Sequence, residues 1–318
     1  MDELAIIERL KEIFASTGSD SSNQLRIGIG DDAAFFAPRS SGVAVAADLL
    51  TEGVHFNREW SDLYSIGRKA TAANLADIFA MGLPATYLLV AVAFDPVDGE
   101  AIFELAKGIA AECALVGAHV IGGDLSRGSA LTVSMTAIGE GERVITRSGA
   151  RPGDHLYLRA LPGRSLLGLE QLRRGLNLDP ESIAFHQAPK VEYHSYLELG
   201  KDATSLCDIS DGILIDAASL ARASEVTIDL DSSAIEDHPQ YSLIAQIASA
   251  LGVDPLPSVL TSGEEHGPLF TAAPGYIRAH SIKAHSIKAH SIGVVKERGE
   301  SLLTLDGQPI AERGFTHF

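Results

Sequence analysis

The sequence predicts an α/β protein (α+β type) built as two domains. Three observations carry this reading. Apolar residues at helical spacing alternate with short apolar runs at strand spacing through the first half of the chain. That alternation stops at a turn-rich stretch near residue 145 and then begins again. At 318 residues, the chain is long enough for two cores of ordinary size.

The elements follow in order. Ile6, Ile7, Leu10, Ile13 and Phe14 fall on one helical face, predicting an amphipathic helix over 3–15. A polar stretch, 16–23, leads to the turn Gly28-Ile29-Gly30-Asp31-Asp32. Residues 43–48 read as a buried strand ending at the Asp48 carboxylate. Residues 63–81 read as a helix rich in small residues, closed by Gly82 and Pro84, with Asn74 and Asp77 on one face. Residues 87–94 form an apolar strand, and 100–116 a helix closed by Gly117. A short strand, 119–121, runs into Gly122-Gly123-Asp124. Leu131, Val133, Met135 and Ala137 alternate with hydroxyl residues, as in a half-buried strand.

The stretch from Arg147 to Asp154 is rich in Gly, Pro and Ser, which places the boundary between domains 1–145 and 146–318. Beyond it the spacing predicts a strand over 155–159, a helix over 164–174 and a strand over 205–209. A helix over 212–223, a strand over 226–230 and a helix over 242–251 capped by Gly252 complete the second half. Beyond them lies a repeat, Ala-His-Ser-Ile-Lys, beginning at Ala279, Ala284 and, in part, Ala289. A period of five turns about 140° per step on a helix and reverses the face of a strand. His280, His285 and His290 therefore do not line up as a metal site, and the repeat reads as an expanded surface loop.

With 46% hydrophobic and 21% charged residues the composition is that of a globular protein. The formal charge of −17 argues against nucleic-acid binding, which needs a basic face. No apolar stretch approaches membrane-helix length, so no membrane partner is expected. The N-terminal residues lack a signal-peptide pattern, and Cys113 and Cys207 read as free buried thiols. The expected setting is cytoplasmic.

Against that background the aspartates stand out: Asp31, Asp32, Asp48, Asp77, Asp124, Asp208 and Asp211. Carboxylates that converge need cations, and hard oxygen ligands favour Mg²⁺, which commonly shares its shell with substrate phosphates. An enzyme this acidic would need metal to attract a phosphate. Asp208-Ile209-Ser210-Asp211-Gly212 places Ser210 and the following amides at a helix N-terminus. That arrangement suits a phosphate and equally suits an ordinary helix cap. Asp31-Asp32 and Gly122-Gly123-Asp124 are each compatible with plain turns. Asp77, amid alanines, must be exposed or paired. His55 and Arg147 are unremarkable alone.

Taken in order, Gly28-Ile29-Gly30-Asp31-Asp32-Ala33, Asp48 with Gly53-Val54-His55-Phe56, Asn74-Leu75-Ala76-Asp77, Gly122-Gly123-Asp124, Thr146 to Asp154, Asp208 to Gly212, Ser262-Gly263-Glu264-Glu265-His266 and the terminal Gly314-Phe315 resemble the thiamine-monophosphate kinase family over nearly the whole chain. The resemblance implies an aminoimidazole-ribonucleotide-synthetase-like fold. Its N-terminal sheet would pair across a homodimer, and a C-terminal α/β domain would complete the nucleotide and substrate site. The implied reaction is Mg²⁺-dependent transfer from ATP, as co-substrate, to thiamine monophosphate. Asp32, Asp48, Asp77, Asp124, Asp208 and Asp211 would hold several Mg²⁺ ions. Gly123, Asp124, Arg147 and Ser210 would contact ATP, while His55, Glu264 and Phe315 would contact thiamine monophosphate. No side chain is implied as a general base. Ala46 and Ala47 stand where members usually carry hydroxyl residues, leaving the Ala47 carbonyl as the remaining metal donor there. The alternatives are a selenophosphate or aminoimidazole ribonucleotide synthetase-like enzyme, or a non-catalytic cation-binding dimer. The reactive terminal cysteines expected of selenophosphate and hydrogenase-maturation relatives are not found.

Overall fold

The structure, a computed structural model, describes residues 3–15, 24–29, 33–95, 100–275 and 288–314. The chain divides into two compact units, Met1–Phe79 with Leu83–Val144, and Ala80–Gly82 with Ile145–Phe318.

The first unit begins with α1 (Glu3–Ala15) and a small antiparallel pair, β1 (Leu25–Ile27) and β2 (Phe35–Phe36). It continues through β3 (Val43–Thr51), α2 (Leu63–Ala80), β4 (Ala85–Phe94), α3 (Ile102–Ala114), β5 (His119–Arg127) and β6 (Thr132–Glu140). The sheet order is β3-β6-β4-β5, antiparallel except for the parallel pair β4–β5. Leu75, Ile78, Leu88, Phe103 and Met135 are fully buried in its core. Each contributes about 1.5–3 kcal/mol through burial. Between α2 and α3, Arg68 reaches Glu112 at 2.7 Å, which pairs a carboxylate with no solvent exposure.

β3 alternates strictly, and this sets the surface of the unit. Leu50 is buried, whereas Val43, Val45 and Leu49 are 48%, 62% and 53% exposed on the opposite face. Two sequence expectations change here. β3 runs past Asp48 to Thr51, and β5 runs through Gly122-Gly123-Asp124 to Arg127, so Asp48 and Asp124 lie within strands rather than at their ends. The parallel partner explains the second glycine: a Cβ on Gly123 would lie 1.8 Å from the Val90 carbonyl oxygen.

The second unit contains β7 (His155–Leu158), α4 (Arg164–Arg173), α5 (Pro180–Gln187), α6 (Tyr193–Leu199), β8 (Ser205–Asp208), α7 (Ile213–Ala223) and β9 (Thr227–Leu230). It ends with α8 (Ser232–Glu236), α9 (Tyr241–Leu251), α10 (Pro255–Thr261), β10 (Pro268–Ala272), β11 (His290–Lys296), β12 (Leu303–Leu305) and β13 (Gln308–Pro309). Its sheet order is β13-β12-β9-β11-β7-β10-β8, with β12–β9 the parallel pair. Leu158, Leu167, Ile213, Ala217, Ile228, Val259 and Ile292 belong to its core. Asp179 and Asp254 cap α5 and α10 from the residue before a first-turn proline.

The third copy of the repeat is structural, contrary to the loop expectation. Ala289 and Ile292 are buried, Ser291 Oγ lies 3.0 Å from His155 Nδ1, and the His290 ring meets His238 at 4.3 Å between centroids. The first two copies, including His280 and His285, lie outside the described residues. Cys113 and Cys207 are free and buried. Among the described residues no single helix is long and apolar enough to cross a membrane.

Candidate active site

In the second unit two loops are fastened edge to edge. Asp208 ends β8 opposite Pro268 of β10, and beyond this pair the chains stay joined by three backbone bonds. Ile209 N donates to Gly267 O at 2.9 Å, His266 N to Ile209 O at 2.8 Å and Glu264 N to Ser210 O at 2.7 Å. The approach is close enough to require glycine: a Cβ on Gly263 would lie 2.7 Å from Ser210 O, and one on Gly314 would lie 2.2 Å from Asp211 O. The structure therefore brings Asp208, Ser210, Asp211 and Glu264 together, with Gly314, the residue before Phe315, against them. Phe315 itself lies outside the described residues.

The start of α7 departs from the simple helix-terminus reading. The amides of Asp211 and Gly212 donate to Asp216 Oδ2, at 3.1 and 3.0 Å, so they are engaged from within the first turn of the helix. Burial, reinforced by the charges of Asp208 and Asp211, pushes the Asp216 carboxyl up to about 8. Asp208 is 2% exposed and its Oδ2 lies 3.1 Å from His266 Nδ1. Negative charge is concentrated at this strand–helix junction. The Cys207 thiol is raised by burial and by Asp216 and Asp208, and lowered by Arg147. Arg147 is thus within electrostatic reach of the end of β8. Its strand-side neighbour Thr146 accepts from Leu206 N at 3.1 Å, and its own carbonyl accepts from Ser224 Oγ at 3.0 Å.

Glu265 supports the loop from beneath. Its Oε1 accepts from Gly163 N at 2.7 Å, Ser165 N at 2.9 Å and Ser262 Oγ at 2.7 Å, placing a buried carboxylate at the start of α4. Burial nevertheless raises its pKa. Glu264 and His266 both have positive φ, 57° and 48°. Glu264 Oε2 lies 3.5 Å from His186 Nδ1, which is also 3.1 Å from Ser165 Oγ. The sequence reading missed Asp216, Glu265, His266 and His186 as supporting residues. Asp216, a carboxylate in the first turn of a helix, is the one for which a sequence signal existed.

In the first unit, Asp48 N donates to Asn74 Oδ1 at 3.1 Å, and the fully buried Asn74 donates from Nδ2 to Ala70 O at 2.9 Å. This joins Asp48 to the α2 face that carries Asp77 one turn on. Strand alternation sets Ala46 on the face of Asp48 and Ala47 on the opposite face. Asp124 is exposed on β5, the outermost strand opposite β3. His55 Nδ1 accepts from Thr51 N at 3.0 Å, so Nε2 carries the proton in the neutral ring. The carbonyl of His55 accepts from the buried Lys69 at 3.0 Å. Gly30, Asp31 and Asp32 lie outside the described residues.

Among the described residues no three His, Cys, Asp or Glu side chains stand close enough to hold a metal ion by themselves. The donors at hand are chiefly oxygens, of carboxylates, backbone carbonyls and the Ser210 hydroxyl. After burial, the charges of Asp208 and Asp211 also raise Asp216, and a cation would relieve that part. This chemistry fits a hard divalent ion that completes its shell with phosphate and water oxygens.

Residues 30–140 match the family model for AIR synthase related protein, N-terminal domain. The chain is 35% identical over 271 residues to the thiamine-monophosphate kinase of Mycobacterium tuberculosis, covering 84% of this chain and 79% of the relative. It is 29% identical over 317 residues to that of Halobacterium salinarum, covering all of both. A solved thiamine-monophosphate kinase from Stenotrophomonas maltophilia superposes with a TM-score of 0.82 at 27% identity, covering 98% of each chain. AaThiL complexed with AMPPCP and TMP superposes at 0.78 and 27% identity, covering 87% of each. The hydrogenase maturation protein HypE of E. coli, at 18% identity and a TM-score of 0.73, shares the fold. By sequence and fold, the chain belongs to the thiamine-monophosphate kinase family.

Proposed function

We propose that this chain transfers the terminal phosphoryl group of ATP to thiamine monophosphate, giving ADP and thiamine diphosphate. The observation that carries the reading is the pair of loops at 208–212 and 262–267, which sets carboxylates, Ser210 and Glu264 side by side in a chain of this family. The solved relative AaThiL complexed with AMPPCP and TMP supports the same pair of ligands. The acceptor is a phosphate oxygen, already ionised near neutral pH, so no general base is required. The difficulty is bringing two polyanions into line, and the residues answer it by positioning and by charge.

Asp32, Asp48, Asp77 and Asp124, with the Ala47 carbonyl, and Asp208 and Asp211 would hold Mg²⁺, which would supply charge neutralisation for the phosphates. Gly123 and Ser210 would meet the ATP phosphates, with Arg147 supplying positive charge. The Nε2 proton of His55 suits a phosphate oxygen of thiamine monophosphate. Glu264, half-exposed, suits the amino group of the pyrimidine or the charge of the thiazolium, with Phe315 alongside. Residues 1–145 would then carry nucleotide, metal and dimerisation functions, and 146–318 would complete the site. The uncovered apolar face of β3 supports a homodimer, which sedimentation would report as twice the 33.6 kDa chain mass. We place the reaction in the cytoplasm, where ATP and reduced thiols such as Cys113 and Cys207 coexist.

The direct test is a coupled assay of ADP release with ATP and thiamine monophosphate, with and without Mg²⁺. Turnover that needs both the acceptor and the metal is expected. No transfer to thiamine monophosphate would overturn the reading.

A further inference from the structure

We propose that His266 is a positioning residue for the metal site: its ring fixes the Asp208 carboxylate through Oδ2 and presents Oδ1 as the free donor. The inference rests on the metal-dependent reading above. Asp208 is almost fully buried beside two further carboxylates, Asp211 and Asp216, so its side chain needs a donor to stay ordered as an anion. His266 supplies it, with Nδ1 3.1 Å from Oδ2. A mobile water at that position would hold the carboxylate less firmly, and a metal would then have to order it on binding.

The backbone that carries the ring is held. His266 has φ 48°, its amide donates to Ile209 O at 2.8 Å, and its carbonyl accepts from the hydroxyl of the fully buried Tyr196 at 2.9 Å. Ile209 is the residue after Asp208, so the imidazole and its carboxylate are tied to the same short stretch of backbone. The orientation of Asp208 is therefore set before any ion arrives. A partner of this kind, one bond removed from the ligand, typically changes metal affinity by about 10–100-fold.

The test uses the full chain and four proteins: wild type, His266→Asn, His266→Gly and His266→Phe. Asn keeps a side-chain donor near the Nδ1 position and tolerates positive φ, Gly removes the ring without backbone strain, and Phe keeps the ring volume without the donor. Circular dichroism and melting identify which variants fold. Calorimetry then measures the Mg²⁺ concentration for half-maximal binding of AMPPCP, with no acceptor present. In parallel, kcat is measured at saturating Mg²⁺.

The expected result is a half-saturating Mg²⁺ concentration raised about 10–100-fold in Gly and Phe, whichever folds, and within about threefold of wild type in Asn, with kcat largely recovered at high Mg²⁺. Wild-type Mg²⁺ dependence in Gly or Phe overturns the proposal and leaves the metal reading standing. An equal loss in Asn also overturns it, since the donor would then not be the cause. AMPPCP binding without any need for Mg²⁺ in the wild type overturns both.

Discussion

The aspartates of the two units are held in opposite ways. In the first unit Asp48 lies inside a strand and is anchored by its backbone, through the amide bond to Asn74, while the carboxylate stays half-exposed. In the second unit Asp208 lies at a strand end, buried, and is anchored by its carboxylate to His266. Backbone anchoring fixes where the side chain starts. Side-chain anchoring fixes one geometry, and the neighbouring carboxylates Asp216 and Glu265 are likewise held, by backbone amides that donate to them. The first unit thus positions its aspartate through the main chain and the second through the side chain.

The largest expected effect tests whether both kinds of aspartate serve one reaction. Asp211→Asn and Asp48→Asn should each lower kcat/KM by about 100-fold or more, with melting temperatures close to wild type. Near-normal turnover in either variant would sever that unit from the chemistry. The next test probes the side-chain-anchored side. Glu265→Ala strands the amides of Gly163 and Ser165 and the Ser262 hydroxyl in a buried place, and should cost about 3 kcal/mol in denaturant unfolding. A loss below about 1 kcal/mol would mean that the loop does not depend on this carboxylate.

On the backbone-anchored side, Asn74→Ala leaves Asp48 N without its side-chain acceptor. The expected cost is about 1–2 kcal/mol, part of it offset by the better helix propensity of alanine. If the comparison holds, its Mg²⁺ requirement should change less than that of His266→Gly.

The smallest effect lies away from both sites. Burial, with the His290 charge next in size, lowers the His238 pKa from 6.5 to about 4. A histidine depressed in the folded state is neutral there and protonated in the unfolded chain between those values. Its contribution is therefore present above about pH 6.5 and lost as pH falls towards 4. Melting temperature should drop over that window in wild type and drop less in His238→Asn. Equal slopes would remove this pair from the account of acid stability.

Much of the fold was legible because the apolar runs are long. The helices over residues 3–15 and 63–81, and the strands near 87–94 and 131–137, emerge within a few residues of their bounds. Gly252 closes α9 with φ 68°, as a terminal glycine should. What escaped were short elements whose signal is a single cap. Asp179-Pro180 and Asp254-Pro255 start α5 and α10 by the cap-then-proline rule, in stretches with little periodicity to draw attention. The extension of β3 past Asp48 escaped because a carboxylate ordinarily marks a strand end. Here the half-exposed face beside Asn74 accommodates it. The third histidine repeat escaped because a five-residue period has no regular structure. This copy places Ala289 and Ile292 in the core, and Gly293 follows where a Cβ would meet Asp229 O at 2.5 Å.

The sequence alone determined the α/β alternation, the turn-rich stretch after residue 145, and the ordered aspartates that mark the family. Those are local properties: periodicity, turn chemistry and residue type along a few positions. Tertiary structure decided which carboxylates meet and how each is held. Asp208 finds His266 across 58 positions and Glu265 finds Gly163 across 102. Whether a buried carboxylate is satisfied depends on donors brought by other strands, and those pairings exist only once the sheet has closed.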